Sequence, residues 1–159
     1  MRTILVVCTG NICRSPMAAA LLRALLVVDE ERGDWRVVSA GTRAPEGRSA
    51  SPYAVAEMEQ RGIDIRDHRS QGVTDELMQE ADLVLVMTRH HAEMLSAAFP
   101  DQKEKVHLLS EMAGRSYDIC DPYGGTRLEY AYTAQELEDL IEDGYGRIVW
   151  MAERSLSLS

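Results

Sequence analysis

The sequence predicts a doubly wound α/β fold: a four-stranded parallel sheet with helices on both faces and a phosphate-binding loop after the first strand. Two observations carry this prediction. Four short β-branched or leucine-rich runs, at residues 3–8, 36–40, 82–87 and 105–109, alternate with segments of helical periodicity. Strands spaced that widely pair in parallel through crossover helices. The second observation is local. The first run ends directly in Cys8-Thr9-Gly10-Asn11-Ile12-Cys13-Arg14-Ser15-Pro16, a turn of short residues followed by a helix start.

Each element has its own signal. Ile4-Leu5-Val6-Val7 is an apolar run of strand length. Ser15 is the expected N-cap and Pro16 the first helical position, because proline fits where no N–H is needed. Ala18, Leu21, Leu22, Leu25 and Leu26 then recur at helical spacing. After the second strand, Ser51-Pro52 starts a helix carrying Val55 and Met58. Thr74, followed by Asp75 and Glu76, starts another. Thr133 with Glu136 reads as the capping box of a last helix bearing Leu137, Leu140, Ile141, Ile148 and Met151. No repeat, low-complexity stretch or linker interrupts the pattern, so residues 1–159 are expected to form a single domain. In such folds the binding crevice lies at the carboxyl ends of the strands, and Cys8 sits at one of them.

Composition narrows the function classes. Hydrophobic content of 45% and charged content of 27% suit a globular chain that buries a core without disulfides or metals. A net charge of −9 argues against a nucleic-acid-binding surface and makes Arg14 a local positive exception. The first residues lack a charged n-region, a long apolar h-region and a small-residue cleavage site, and no apolar run approaches spanning length. The expectation is a cytoplasmic protein without membrane contact, where a reduced Cys8 would persist. Three cysteines do not make a disulfide framework, and His68, His90, His91 and His107 show no zinc spacing. Neither metal nor cofactor is expected.

The first loop suggests chemistry. It places a thiol at a strand tip and an arginine six residues on. Short residues between them let successive backbone N–H groups point inward as an anion nest, and a helix N-terminus would aim at the same point. Arg14 can add a bidentate grip on phosphoryl oxygens. The same positive field favours thiolate at Cys8, and thiolate is the nucleophile. The bland alternative makes Cys8 a small buried hydrophobe. The strand, the Gly10-Asn11 pair able to take left-handed conformations and the Ser-Pro helix start argue together against it.

Asp121 precedes Pro122, and Gly124-Gly125 follow, which by local sequence is an Asp-Pro turn on a solvated loop. The chemistry gives it weight. Displacing an alkoxide or phenoxide from phosphorus needs an acid, and hydrolysing a phosphocysteine needs a base. One carboxyl group can serve both steps.

Val7 through Pro16 resembles the signature loop of the low-molecular-weight protein tyrosine phosphatases. The resemblance continues in Ser39-Ala40-Gly41-Thr42, in Asp82 to Met87 and in Asp121-Pro122-Tyr123, and so covers nearly the whole chain. It implies a phosphorylated protein as partner, with Cys8 as nucleophile, Arg14 as phosphate-binding residue and Asp121 as general acid/base. Thr9, Gly10, Asn11, Ile12, Cys13 and Ser15 would line the substrate, with Tyr123 as an aromatic wall. The resemblance also implies that Ser15 donates to the cysteine sulfur, that Asn11, Ser39 and His68 support the loop, and that Cys13 traps an oxidised Cys8 as a disulfide. Cys120 is expected to be buried. Thr88 stands where much of the family has aspartate.

Rival classes share parts of this pattern. A flavin-binding electron carrier would share the fold but need no thiol and arginine aimed at one point. A phosphocysteine carrier would have no use for Asp121, and a thiol-dependent arsenate reductase needs redox cysteines absent between Cys13 and Cys120. Asp121 to Gly125 and Met87 to His91 look more like the bacterial protein arginine phosphatase branch, in which a threonine typically precedes the second loop cysteine. Ile12 stands there instead, and a branched apolar side chain suits an aromatic ring. Phosphotyrosine is therefore the expected substrate, with phosphoarginine the alternative.

Overall fold

The computed structural model describes residues 1–154. Strands β1 (Thr3–Cys8), β2 (Arg36–Gly41), β3 (Leu83–Val86) and β4 (Val106–Leu108) form one parallel sheet in the order β2-β1-β3-β4. The chain leaves β1 towards one edge and later returns on its other side to form β3. The loop after β1 thus lies at the point where strand order reverses, the usual crevice of a doubly wound sheet.

Helices α1 (Arg14–Val27), α2 (Pro52–Gln60), α3 (Asp75–Glu80), α4 (Arg89–Ala98), α5 (Leu109–Met112) and α6 (Arg127–Arg154) cover the two faces. Alternation along β1 divides the core. Ile4, Val6 and Cys8 pack with Met17, Leu22, Met58, Leu137 and Ile141, whereas Leu5 and Val7 pack with Met78 and Leu95. Every residue of β1 is buried, as expected of a central parallel strand. None of the helices among the described residues is long and apolar enough to cross a membrane.

The four expected strands agree with the observed ones to within a residue or so at each end, and Thr74 caps α3 by accepting from Leu77 N at 3.2 Å. Two expectations fail. Helix α1 begins at Arg14, so Ser15 lies inside the first turn and is not the N-cap. Its hydroxyl is drawn instead to Cys8 and Asn11, at 3.0 and 2.8 Å. The last helix starts at Arg127, and Thr133 is buried within it. Thr126 is the residue whose hydroxyl accepts from Glu129 N, at 3.2 Å, two turns upstream of the expected cap. For α4 the sequence reading named no start, and Thr88 Oγ1 caps it by accepting from His91 N at 3.2 Å.

Candidate active site

The segment from Cys8 to Arg14 is shaped by its own side chains and by the segments that surround it. Asn11 takes φ 57°, a left-handed conformation that asparagine tolerates better than most residues. It is fully buried and saturated with hydrogen bonds. Its Nδ2 donates to Ser15 Oγ (2.8 Å) and Ser39 Oγ (2.9 Å), and its Oδ1 accepts from Gln71 N (3.0 Å). Its carbonyl meets His68 Nε2 at 2.6 Å, and burial holds the His68 pKa below the usual imidazole value. Gly41 closes the other side. A Cβ there would stand 2.3 Å from the Thr9 carbonyl oxygen, so only glycine lets β2 end this close to the loop.

Cys8 Sγ lies at the focus of this loop. Asn11 N–H donates to it at 3.3 Å and Ser15 Oγ lies 3.0 Å away. Arg14, only 3% exposed, donates from Nη1 to the Ile119 carbonyl at 2.8 Å and from Nη2 to Thr9 Oγ1 at 3.4 Å. Nη2 also stands 3.5 Å from Asp121 Oδ2. Arg14 Nε and His91 Nδ1 are the buried side-chain polar atoms without a hydrogen-bond partner among the described residues. Asp121 accepts from Tyr123 N at 3.0 Å, which folds the Asp-Pro-Tyr turn back on its own carboxylate. The loop before it is tethered by Ile119 N to the Met87 carbonyl and by Arg89 N to Asp118 Oδ1.

Cys8, Thr9, Gly10, Ile12, Cys13, Asp121 and Tyr123 line one cleft of about 230 Å³. The structure thus brings residue 121 to residue 8 across the sheet. Asn11, Ser15, Ser39 and His68 lie behind the loop and not in the cleft. Cys13 Sγ contacts Tyr130 OH (3.2 Å) and Ser51 Oγ (3.4 Å), and burial pushes its thiol above the ordinary value. Cys120, expected to be buried, is exposed, because the turn that carries it runs over the surface beside α6.

Sequence reasoning missed Pro45 and Arg48, which also line the cleft, and Gln71 and His91, which brace the loop. Arg48 had no motif to mark it. His91 had one faint signal, a histidine pair just after a strand end.

A phosphatase that works through a cysteine is the class these features define. A family model described as low molecular weight phosphotyrosine protein phosphatase matches residues 3–147. A protein-arginine-phosphatase of Bacillus subtilis (strain 168) is 40% identical over 87% of this chain and 91% of its own. A probable low molecular weight protein-tyrosine-phosphatase EpsP of Ralstonia solanacearum is 47% identical over 77% of this chain and 79% of its own. Among solved structures, the arginine phosphatase YwlE, as a mutant with a phosphorylated active-site serine, superposes with a TM-score of 0.82. It is 39% identical and the match covers 89% of this chain and 91% of that one. This chain belongs to the low molecular weight phosphotyrosine protein phosphatase family.

Proposed function

We propose that this protein hydrolyses phosphotyrosine in protein substrates, using Cys8, Arg14 and Asp121 as its catalytic residues and acting as one domain in the cytoplasm. The observation that carries the site assignment is the buried Arg14 guanidinium, whose Nε donor has no partner among the described residues. An unpaired buried donor costs folding about 1–3 kcal/mol, and a phosphoryl oxygen beside Cys8 would satisfy it.

The chemistry runs in two steps, each carried by side chains. Cys8 thiolate attacks phosphorus, and the bond from phosphorus to the phenolic oxygen breaks. The leaving oxygen takes a proton from the Asp121 carboxyl group. Asp121 carboxylate then takes a proton from water, which attacks the phosphocysteine and releases inorganic phosphate and the thiolate. Arg14 and the loop amides follow the equatorial oxygens throughout. Ser15 Oγ and Asn11 N–H stabilise the thiolate between turnovers. Thr9, Gly10, Ile12, Cys13 and Tyr123 surround the substrate, and Ser39 and His68 keep the loop in shape through Asn11.

The choice of phosphotyrosine rests on Ile12 and Tyr123, two apolar walls suited to a flat ring. One observation favours phosphoarginine as a second reading: the 40% identity to the Bacillus enzyme extends over most of both chains. Two measurements test the proposal. Cys8→Ser should abolish turnover while retaining vanadate binding, and substantial residual activity would remove Cys8 from its role. Rates measured side by side on phosphotyrosine and phosphoarginine peptides decide the substrate.

A further inference from the structure

We propose that His91 is a positioning residue of this site, its imidazole anchoring the Thr9 hydroxyl that in turn holds Arg14 in place. The inference rests on the phosphatase reading above and assigns a residue that reading does not use.

The geometry is a continuous chain. His91 Nε2 lies 2.8 Å from Thr9 Oγ1, and Thr9 Oγ1 accepts from Arg14 Nη2 at 3.4 Å. Thr9 immediately follows Cys8 and lines the cleft, so its rotamer sets one wall beside the sulfur. Threonine would otherwise be free to turn its hydroxyl elsewhere, because its Cβ allows more than one staggered position. His91 is itself fixed. It sits in the first turn of α4, its N–H accepted by Thr88, and is only 2% exposed.

Charge supports the same role. Burial first, and then the Arg14 and His90 charges, lower the His91 pKa to about 4, against opposing pulls from Asp121 and Asp118. The ring is therefore neutral at working pH and adds no second cation to compete with Arg14 for the phosphoryl group. A burial this complete, with Nδ1 unpaired among the described residues, is costly for a residue that only fills space. Phenylalanine or leucine would fill the same volume without that cost.

The test compares His91→Phe, which removes the ring nitrogens, with His91→Gln, whose amide can still reach the Thr9 hydroxyl. Thr9→Val and the double variant Thr9→Val/His91→Phe complete a cycle. On an aryl phosphate, His91→Phe should lose kcat/KM by about tenfold or more and bind vanadate correspondingly less well. His91→Gln should stay within about threefold of wild type. The double variant should lose no more than the worse single, because both changes break one chain. Additive losses, or equal losses in His91→Gln and His91→Phe, would overturn the role. If His91→Phe fails to fold, His91→Leu, which also lacks the ring nitrogens, takes its place in the cycle with the same expected losses, and a leucine variant as active as His91→Gln overturns the role. Wild-type protein inactive on every phosphoester would sink the phosphatase reading instead, a different result from active protein whose variants do not separate.

Discussion

Asp121 Oδ2 lies 3.5 Å from Arg14 Nη2, so a half-exposed carboxylate rests against a buried guanidinium. In the proposed mechanism a phosphoryl dianion competes with this carboxylate for Arg14, so Asp121 turns to the leaving oxygen. Arg14 is held by the Ile119 carbonyl, whereas the Asp121 side chain is nearly half exposed and has room to turn. Asp121→Asn should slow aryl phosphates with poor leaving groups by about a hundredfold or more, with activated ones affected less. It should also flatten one limb of the pH–rate profile. An unchanged dependence on leaving-group pKa would exclude Asp121 as the acid.

Gly41→Ala tests the seam between β2 and the loop. The added methyl meets the Thr9 carbonyl at 2.3 Å and the Ala44 Cβ at 2.9 Å, so backbone must move. We expect a stability loss of about 1–3 kcal/mol by denaturant titration, with a larger proportional loss of activity. Unaltered kinetics in a destabilised variant would show that the loop tolerates the shift.

Ile12→Thr addresses substrate choice. A phosphoguanidinium against Ile12 leaves N–H donors short of a partner, whereas threonine offers an oxygen. Phosphoarginine hydrolysis should rise relative to phosphotyrosine by about tenfold, the effect of one hydrogen bond worth ~1.4 kcal/mol. Wild-type protein that already prefers phosphoarginine would reverse the assigned substrate and leave the cysteine mechanism in place.

Mild peroxide should convert Cys8 to a sulfenic acid, which the Cys13 thiol then attacks to give a disulfide and water. Cys13 must first leave Tyr130 and Ser51, and its raised pKa makes the step faster at alkaline pH. Mass spectrometry should find the Cys8–Cys13 link. Inactivation of Cys13→Ser should resist reversal by thiols, and equal recovery would reduce Cys13 to a packing residue.

His91 also predicts an acid sensitivity. Its folded pKa of about 4 lies below the ordinary 6.5, so between these values the unfolded chain binds more protons. Stability contributed by the neutral ring is complete above about pH 6.5 and is lost as pH falls towards 4, to a ceiling on the order of 3 kcal/mol. Chemical denaturation of wild type and His91→Gln at pH 7 and 5 checks the sign: the variant should show the shallower decline.

Much of this was legible in the sequence because the determinants are local. Ile4 to Val7 are apolar and continuous, and the strand appears where they are. Cys8 and Arg14 share one loop, so their convergence needed no tertiary knowledge. Thr133 misled because a capping pattern is short, and Thr126-x-x-Glu129 offered the same pattern upstream of the helix that actually forms. Ser15 looked like a cap until Cys8 and Asn11 claimed its hydroxyl. The contacts of His91 and Gln71 span 82 and 60 residues of chain, and no periodicity encodes a pairing of that kind.

Asn11 restricts what this loop can become. Glycine would accept the left-handed backbone but lose the bonds to Ser15, Ser39 and Gln71. Aspartate could accept from Gln71 N but not donate to two serines, and would bring a negative charge beside the sulfur. Among the common residues only asparagine meets the torsion, the donors and the acceptor together. Position 11 is thus constrained from every side, while Ile12 beside it turns a partly buried side chain to the cleft and keeps its backbone bond to Ser51 N whatever that side chain is. Under the proposed function, descendants of this protein could change what they recognise by altering one adjacent side chain without rebuilding the loop beneath it.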